Sequence, residues 1–71
     1  MAVEQFYVPA ITTEQAVRAI SAALNALPSV RQVLVNLADR SVRVEYDGDL
    51  DPAALMRAIK QAGYAEVAIM I

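Results

Sequence analysis

The fold is decided within residues 8–20, VPAITTEQAVRAI, where the spacing of the apolar residues changes from that of a strand to that of a helix. The alternation over residues 3–8 predicts a first strand that ends inside this stretch. Thr12 then predicts a helix start, because Gln15 follows three residues later and can complete a capping box. The inner stripe of this helix should consist of Val17, Ile20, Ala23, Leu24 and Leu27, which recur at helical spacing.

The first helix should end at residues 28–29, Pro-Ser. A hairpin is predicted after it. Residues 33–37 and residues 42–46 each alternate between an inward and an outward set of side chains. Residues 38–39 provide the turn that joins them, and one face of the pair should be buried while the other meets water. The inward positions are Val33, Val35 and Leu37 on one strand and Val42, Val44 and Tyr46 on the other.

A second helix should start at Asp51, because the aspartate accepts free amide hydrogens and Pro52 fits the first turn. Gly63 is placed to end that helix in a left-handed conformation, and residues 65–71 predict a last strand. Its inner stripe should consist of Leu55, Ile59 and Ala62. The order of the elements predicts an α+β fold, the ferredoxin-like βαββαβ sandwich with a four-stranded antiparallel sheet and two helices on one face.

Length and composition favour a single domain over residues 1–71. With 58% of its residues hydrophobic, the chain can fill a compact core, although its length is close to the lower limit for a domain with one core. The sequence has no apolar run near the roughly 20 residues needed to span a bilayer, and no leader pattern at its N-terminus. These features predict a soluble cytoplasmic protein without membrane insertion.

Several classes of function are disfavoured by what the residues lack. The chain has no cysteine, no histidine and two glycines, so it offers no thiol nucleophile, no imidazole base and no glycine-rich phosphate loop. We therefore expect no enzymatic activity and no cofactor. The net charge of −2 and a pI near 4.8 disfavour nucleic acid as a partner, and Tyr7 is the clearest outward aromatic residue on the predicted sheet.

The stretch that begins at Val8 resembles the metal-binding motif of the heavy-metal-associated domain family, which includes copper chaperones and modules of copper-pumping P-type ATPases. In that family the motif reads Val-x-Gly-Met-Thr-Cys-x-x-Cys-Val-x-x-Ile. Thr13 and Ala16 stand where the family carries its two cysteines, and Ala10 and Ile11 replace its glycine and methionine. The positions that match are Val8, Thr12, Val17 and Ile20, followed near the C-terminus by Ala62, Gly63 and Tyr64.

The resemblance implies a scaffold whose usual metal site is absent. Cu(I) prefers thiolate or thioether ligands, whereas Thr13 supplies a hydroxyl group and Ala16 supplies no donor atom. A metal ion is therefore expected only together with ligands from a partner. If a docking or vestigial site of the family is retained, it would comprise Thr12, Thr13, Glu14, Ala16, Arg18 and Tyr64.

A second candidate surface lies on the face of the predicted sheet that the helices leave uncovered. Its outward positions are unusually apolar for a face that should meet water, and such patches often mark association. This pattern favours a protein partner or a homodimer. The positions are Val3, Tyr7, Leu34, Ala68 and Met70.

Three interpretations of the function follow from these observations. The preferred one is a non-catalytic protein-interaction or regulatory module. The alternative is a degenerate copper-chaperone-like or transporter-linked protein that handles metal weakly, or with the ligands of a partner. A third is an engineered form of a metal-binding parent in which the cysteines were replaced. The sequence identifies neither the partner nor the oligomeric state.

Overall fold

The structure, a computed structural model, describes residues 1–70. Its elements are β1 (Ala2–Tyr7), α1 (Glu14–Asn25), β2 (Val30–Asn36), β3 (Ser41–Tyr46), α2 (Pro52–Gln61) and β4 (Ala68–Ile69). The strands form one antiparallel sheet in the order β2-β3-β1-β4. The predicted ferredoxin-like α+β arrangement is confirmed.

The core lies between one face of the sheet and the two helices. Alternate strand residues and one stripe of each helix enter it, and each large apolar side chain that becomes fully buried contributes roughly 1.5–3 kcal/mol. The opposite face of the sheet has no helix against it in the described part of the chain. The largest fully buried side chains are Phe6, Val8, Ile11, Ile20, Leu24, Val42, Val44, Leu55 and Ile59.

Helix α1 starts one residue later than predicted. Thr13, and not Thr12, is the N-cap, and its Oγ1 accepts a hydrogen bond from the backbone N–H of Ala16 at 3.2 Å. The turn after β1 explains the shift, because the Ile11 N–H donates to the Val8 carbonyl oxygen at 3.0 Å and this turn extends the loop. The capping box predicted for Thr12 with Gln15 is therefore wrong.

The buried stripe of α1 is rotated relative to the predicted one. Its fully enclosed residues are Ala16, Ile20 and Leu24, whereas Val17 and Leu27 are only partly buried beside them. In α2, Leu55 and Ile59 are buried as predicted, but Ala58 replaces Ala62 as the third residue of the stripe. Ala62 is the C-cap of α2 and is half-buried.

The ends of α2 follow the prediction. The Asp51 side chain accepts from the Ala53 N–H at 3.0 Å, and Pro52 is the first residue of the helix. Gly63 follows the helix with φ +105°, a left-handed conformation that glycine adopts without a steric penalty. These caps fix where the helix leaves the sheet and where the chain returns towards β4.

Strand β2 ends earlier than the alternation of its residues suggests. The Oδ1 atom of Asn36 accepts from the N–H groups of Ala38 at 2.9 Å and Asp39 at 3.2 Å. This side chain starts the turn to β3, so Leu37 belongs to the turn and is 40% exposed instead of lying in the core. The inward position predicted for Leu37 is therefore wrong, because a local side-chain hydrogen bond competes with the strand.

Strand β4 is shorter than the predicted strand over residues 65–71. Within residues 1–70 the strand consists of Ala68–Ile69, which pair with Tyr7 and Phe6 respectively. If that register continued, Glu66 would lie opposite Pro9, and proline has no N–H to donate to the ladder. Ile71 lies outside the described residues.

The turn between β2 and β3 contains a strained residue whose replacement should stabilise the domain. Arg40 has φ +56°, in the left-handed region that residues with a Cβ rarely adopt. We expect Arg40→Gly to raise the free energy of unfolding by about 0.5–1 kcal/mol. Urea denaturation would measure the change, with Arg40→Ala as the control because alanine removes the exposed side chain and keeps the strain. An equal gain in both variants would contradict the assignment to backbone strain.

Candidate functional site

The loop between β1 and α1 is held in place by buried side chains and by the neighbouring hairpin. Val8 and Ile11 are fully buried beneath it. The Val8 N–H donates to the Arg40 carbonyl oxygen at 2.9 Å, which ties the end of β1 to the turn between β2 and β3. Ile11 occupies the place of the family's methionine, so an aliphatic side chain fills the space beneath the loop.

The two positions where the resembling family carries cysteines now form the cap of α1. Thr13 is exposed and extended, with φ −139° and ψ 159°, whereas Ala16 is only 3% exposed. The Thr13 hydroxyl oxygen accepts the Ala16 N–H, so the two residues are joined by a hydrogen bond between side chain and backbone. An exposed hydroxyl and a buried methyl group do not provide a pair of soft metal ligands.

This cap is a point where the stability of the domain can be tested. Replacing Thr13 by alanine leaves the Ala16 N–H without its acceptor, and losses of this kind cost about 0.5–2 kcal/mol. We expect the free energy of unfolding of Thr13→Ala to fall by that amount in a urea titration. Thr12→Ala is the matched control, since the Thr12 side chain makes no hydrogen bond within residues 1–70. A larger loss in Thr12→Ala would place the cap one residue earlier.

The first turns of α1 present a polar surface beside the cap. Thr12, Glu14 and Arg18 are all exposed. The Arg18 Nη1 atom lies 3.8 Å from the Glu14 Oε2 atom, so these two residues, four apart along α1, form an ion pair. Both side chains are largely in water, and the pair contributes little to stability. The two charges therefore remain accessible to a partner.

Tyr64 lies beside the loop, on the segment that follows α2. It is half-buried and packs against the core. It also lines a surface cleft together with Pro9 and Ala10 of the loop. The structure therefore places Tyr64 next to the start of the loop, and its membership of a docking or vestigial site with Thr12 and Thr13 stays a prediction.

The outward apolar residues of the sheet fall into two separate parts. Tyr7 is paired with Ala68, and the Met70 N–H donates to the Gln5 carbonyl oxygen at 2.9 Å, so β1 and β4 share one patch. Leu34 faces Arg43 across the β2–β3 ladder and is separated from that patch by this charged residue. The exposed fractions are 47% for Val3, 39% for Tyr7, 49% for Leu34 and 42% for Met70.

One charged residue, Glu4, lies on the inner face of the sheet, a position that was not predicted for it. Glu4 pairs with the buried Val44 and therefore has the register of the helix-covered face, where it is half-buried. Burial raises the pKa of the Tyr46 phenol, and the negative charges of Glu4 and Asp51 add to this effect. The alternation along β1 could have shown this position, since residues 2, 4 and 6 share a face.

Within residues 1–70 there is no group of three or more histidine, cysteine, aspartate or glutamate side chains arranged to hold a metal ion.

None of the helices in the described part of the chain combines the length and the apolar character needed to cross a membrane.

The fold and the capped loop together define a small ferredoxin-like domain that presents its β1–α1 loop at one end. Residues 5–65 match the family of the heavy-metal-associated domain. Because this match covers most of the chain, the protein belongs to that family, and the resemblance seen in the sequence is confirmed.

Two relatives are copper-transporting ATPases from Rhizobium meliloti (strain 1021). The chain is 38% identical over 60 residues to copper-transporting ATPase 2, a match that covers 84% of this chain and 7% of the relative. It is 34% identical over 59 residues to copper-transporting ATPase 1, covering 83% of this chain and 7% of the relative. The chain thus spans a small part of the length of these relatives.

Solved structures of similar shape confirm the fold. A copper-binding domain from HMA7, a P-type ATPase, has a TM-score of 0.92 and 24% identity, with coverage of 100% of this chain and 96% of that one. The solution structure of the Atx1–Cu(I)–Ccc2a complex has a TM-score of 0.85 and 20% identity, with coverage of 97% and 94%. At these identities the likeness establishes the architecture.

Proposed function

We propose that this domain is a non-catalytic protein-interaction or regulatory module that does not carry metal by itself. The observation that carries the proposal is the hydrogen bond from the Ala16 N–H to the Thr13 hydroxyl oxygen. The positions that would hold the ligand pair instead stabilise the start of α1. The fold is retained, and the surface around the loop is left for contacts with another protein.

The chemistry of the whole chain supports this proposal. It contains no cysteine and no histidine, and Cu(I) selects soft ligands while zinc sites are built mainly from thiolates and imidazoles. Thr13 offers a neutral hydroxyl group that already accepts a hydrogen bond. A tight site for either ion would therefore need ligands from a second molecule.

The proposed docking surface lies around the first turn of α1. Thr12, Glu14 and Arg18 supply exposed polar and charged groups, and Thr13 lies among them. Ala16 is buried and would contribute only by fixing the cap, while Tyr64 would form the border next to Pro9. A structural neighbour of this fold has been solved as a complex of two named components with Cu(I), which supports a role in protein contacts. We place this role in the cytoplasm.

The alternative is metal handling that depends on a partner's ligands. The identity of the chain to two copper-transporting ATPases favours it, since those relatives are named for copper transport. In that case the domain would hold Cu(I) only in a shared site, and the loop would position the partner's thiolates. The two functions differ in whether the contact requires the metal.

The test is capture of the partner on immobilised domain from an extract of the cells that make it, with and without a Cu(I) chelator. The double variant Glu14→Arg/Arg18→Glu keeps the net charge and the ion-pair spacing but inverts the charge pattern of the docking surface. We expect the wild type to retain one protein under both conditions and the variant to lose it. Retention only without chelator would favour the metal-handling alternative, and equal retention by both proteins would contradict the docking surface.

A further inference from the structure

The edge of the sheet at β4 has backbone N–H and carbonyl groups that no other element within residues 1–70 uses. The Met70 N–H donates to the Gln5 carbonyl oxygen, so residues 5 and 70 have the register of a hydrogen-bonded pair, one position beyond the β1–β4 ladder. Such pairs alternate along a ladder, which makes 7 and 68 the next one and would make 9 and 66 the third. Position 9 is a proline, and the ladder stops there.

The interruption opens two adjoining clefts between the β1–α1 loop and the segment before β4. They share Pro9, Ala65 and Glu66. Tyr7 and Ala68 extend one cleft onto the outward face of the sheet, and Gly63 and Tyr64 extend the other around its end. Within residues 1–70, the backbone N–H groups of Ala65, Glu66 and Val67 donate to no backbone acceptor.

The outer edge of this segment is shaped to accept a strand. Because the peptide groups of residues 68 and 70 face β1, those of Val67 and Ile69 face away from it. Ile69 has the register of the inner face, opposite Phe6, and yet it is 46% exposed at the open edge. An added strand would pair with these peptide groups and cover this side chain.

The charge of this edge indicates which kind of added strand would fit it. Glu66 is the charged residue among those that line the clefts, and it forms no ion pair within residues 1–70. Continued alternation places it on the outward face with Ala68 and Met70. A strand on this edge would therefore match the site if it carried a basic side chain beside Glu66 and apolar side chains beside its neighbours.

We propose that the edge formed by residues 65–70 binds an extended segment of a partner protein by strand addition, with a basic side chain of that segment paired to Glu66. The proposal rests on the proposed function in so far as the domain acts through protein contacts. The edge adjoins the docking surface at Tyr64 and Pro9 but is formed by different residues, so it adds a second contact and defines the chemistry of the segment it accepts.

A second copy of this chain is a poorer occupant of the edge. Residues 64–70 contain no lysine or arginine, so pairing of two such edges would leave Glu66 without a cation. The opposite edge of the sheet is β2, which contains a bulge at Arg31. The Arg31 Nε atom already lies 3.0 Å from the Asp47 Oδ1 atom. Charge complementarity therefore favours a different chain.

The test is titration of the ¹⁵N-labelled domain with an acetylated peptide, Ser-Val-Lys-Val-Ser-Val-Ser-amide, followed by amide chemical shifts. We expect saturable shifts over residues 65–70. The same peptide with glutamate in place of lysine should bind about two- to fivefold more weakly, as expected for an exposed ion pair. A peptide with alternate N-methylated valines should lose about tenfold or more, because methylation removes the backbone donors that pair with the edge.

Two substitutions that change the charge of the domain by the same amount test whether the peptide preference depends on Glu66. Glu66→Lys should reverse the preference between the lysine and glutamate peptides, whereas Asp49→Lys, at an exposed position before α2, should leave it unchanged. Equal binding of the two peptides to the wild type, or no shift over residues 65–70, would overturn the proposal. Shifts confined to residues 12–18 would also overturn it while leaving the proposed function standing, and a dimer that blocks peptide binding would assign the edge to a second copy.

Discussion

Replacing Thr13 and Ala16 together by cysteine should give the domain stoichiometric Cu(I) binding, whereas we expect the unaltered protein to bind none. The two positions lie on one turn at the start of α1, as the Thr13–Ala16 hydrogen bond of 3.2 Å shows. Two thiolates there would supply the soft ligands that Cu(I) prefers. Loss of the threonine cap should lower the stability of the metal-free variant by about 0.5–2 kcal/mol, while the fold is retained.

The measurement is Cu(I) binding in competition with a chromophoric chelator under reducing conditions. Thr13→Ser/Ala16→Ser is the matched control, because it keeps a hydroxyl acceptor at the cap and introduces no thiol. Each single cysteine variant should bind far more weakly than the pair. A folded double-cysteine variant that gains no affinity would show that the loop geometry, as well as the ligand set, has diverged from that of metal-binding members of the family.

Replacing Ile11 by alanine should cost about 2–5 kcal/mol of the free energy of unfolding. Ile11 is fully buried beneath the β1–α1 loop, and the smaller side chain would leave a cavity between the loop and the core. Single domains are stable by only about 5–15 kcal/mol, so this loss is a large part of the total. Urea unfolding followed by circular dichroism would measure it.

Ile11→Met is the informative partner of that variant. Methionine has nearly the volume of isoleucine and should cost less than about 1.5 kcal/mol. A small loss for methionine with a large loss for alanine would show that this position supports the loop by packing. If Ile11→Ala lost less than about 1 kcal/mol, the loop would not depend on its buried side chain.

The order of the elements could be read from the sequence because periodicity determines it. The change from alternation to helical spacing in residues 8–20 and the Asp51 and Pro52 start of α2 both appear in the structure. The absence of a cysteine pair was equally readable. These features depend on residue type and spacing, which the sequence contains in full.

The details that the sequence did not show depend on local hydrogen bonds and on the path of loops. The cap moved from Thr12 to Thr13 because the turn at Ile11 lengthened the loop. Leu37 left the core because the Asn36 side chain started the turn early. In each case two conformations were compatible with the pattern, and one or two local hydrogen bonds selected between them.

The short length of β4 could have been predicted from Pro9, but only once the fold had been assigned. Pro9 interrupts the ladder only because the fold brings β1 beside the last strand. That neighbour relation follows from the ferredoxin-like order, so the interruption is predictable once the fold is assigned. The same step would have located the unpaired edge at residues 65–67.

The most direct test of the assignment is native mass spectrometry of the purified domain with Cu(I), Zn(II) and Ni(II) added in turn under reducing conditions. The spectrum reports both the bound metal and the mass of the assembly. We expect metal-free protein in all three cases, since the ligand positions form the cap of α1. One metal ion bound per folded monomer would contradict the proposed function and would point to ligands outside the motif.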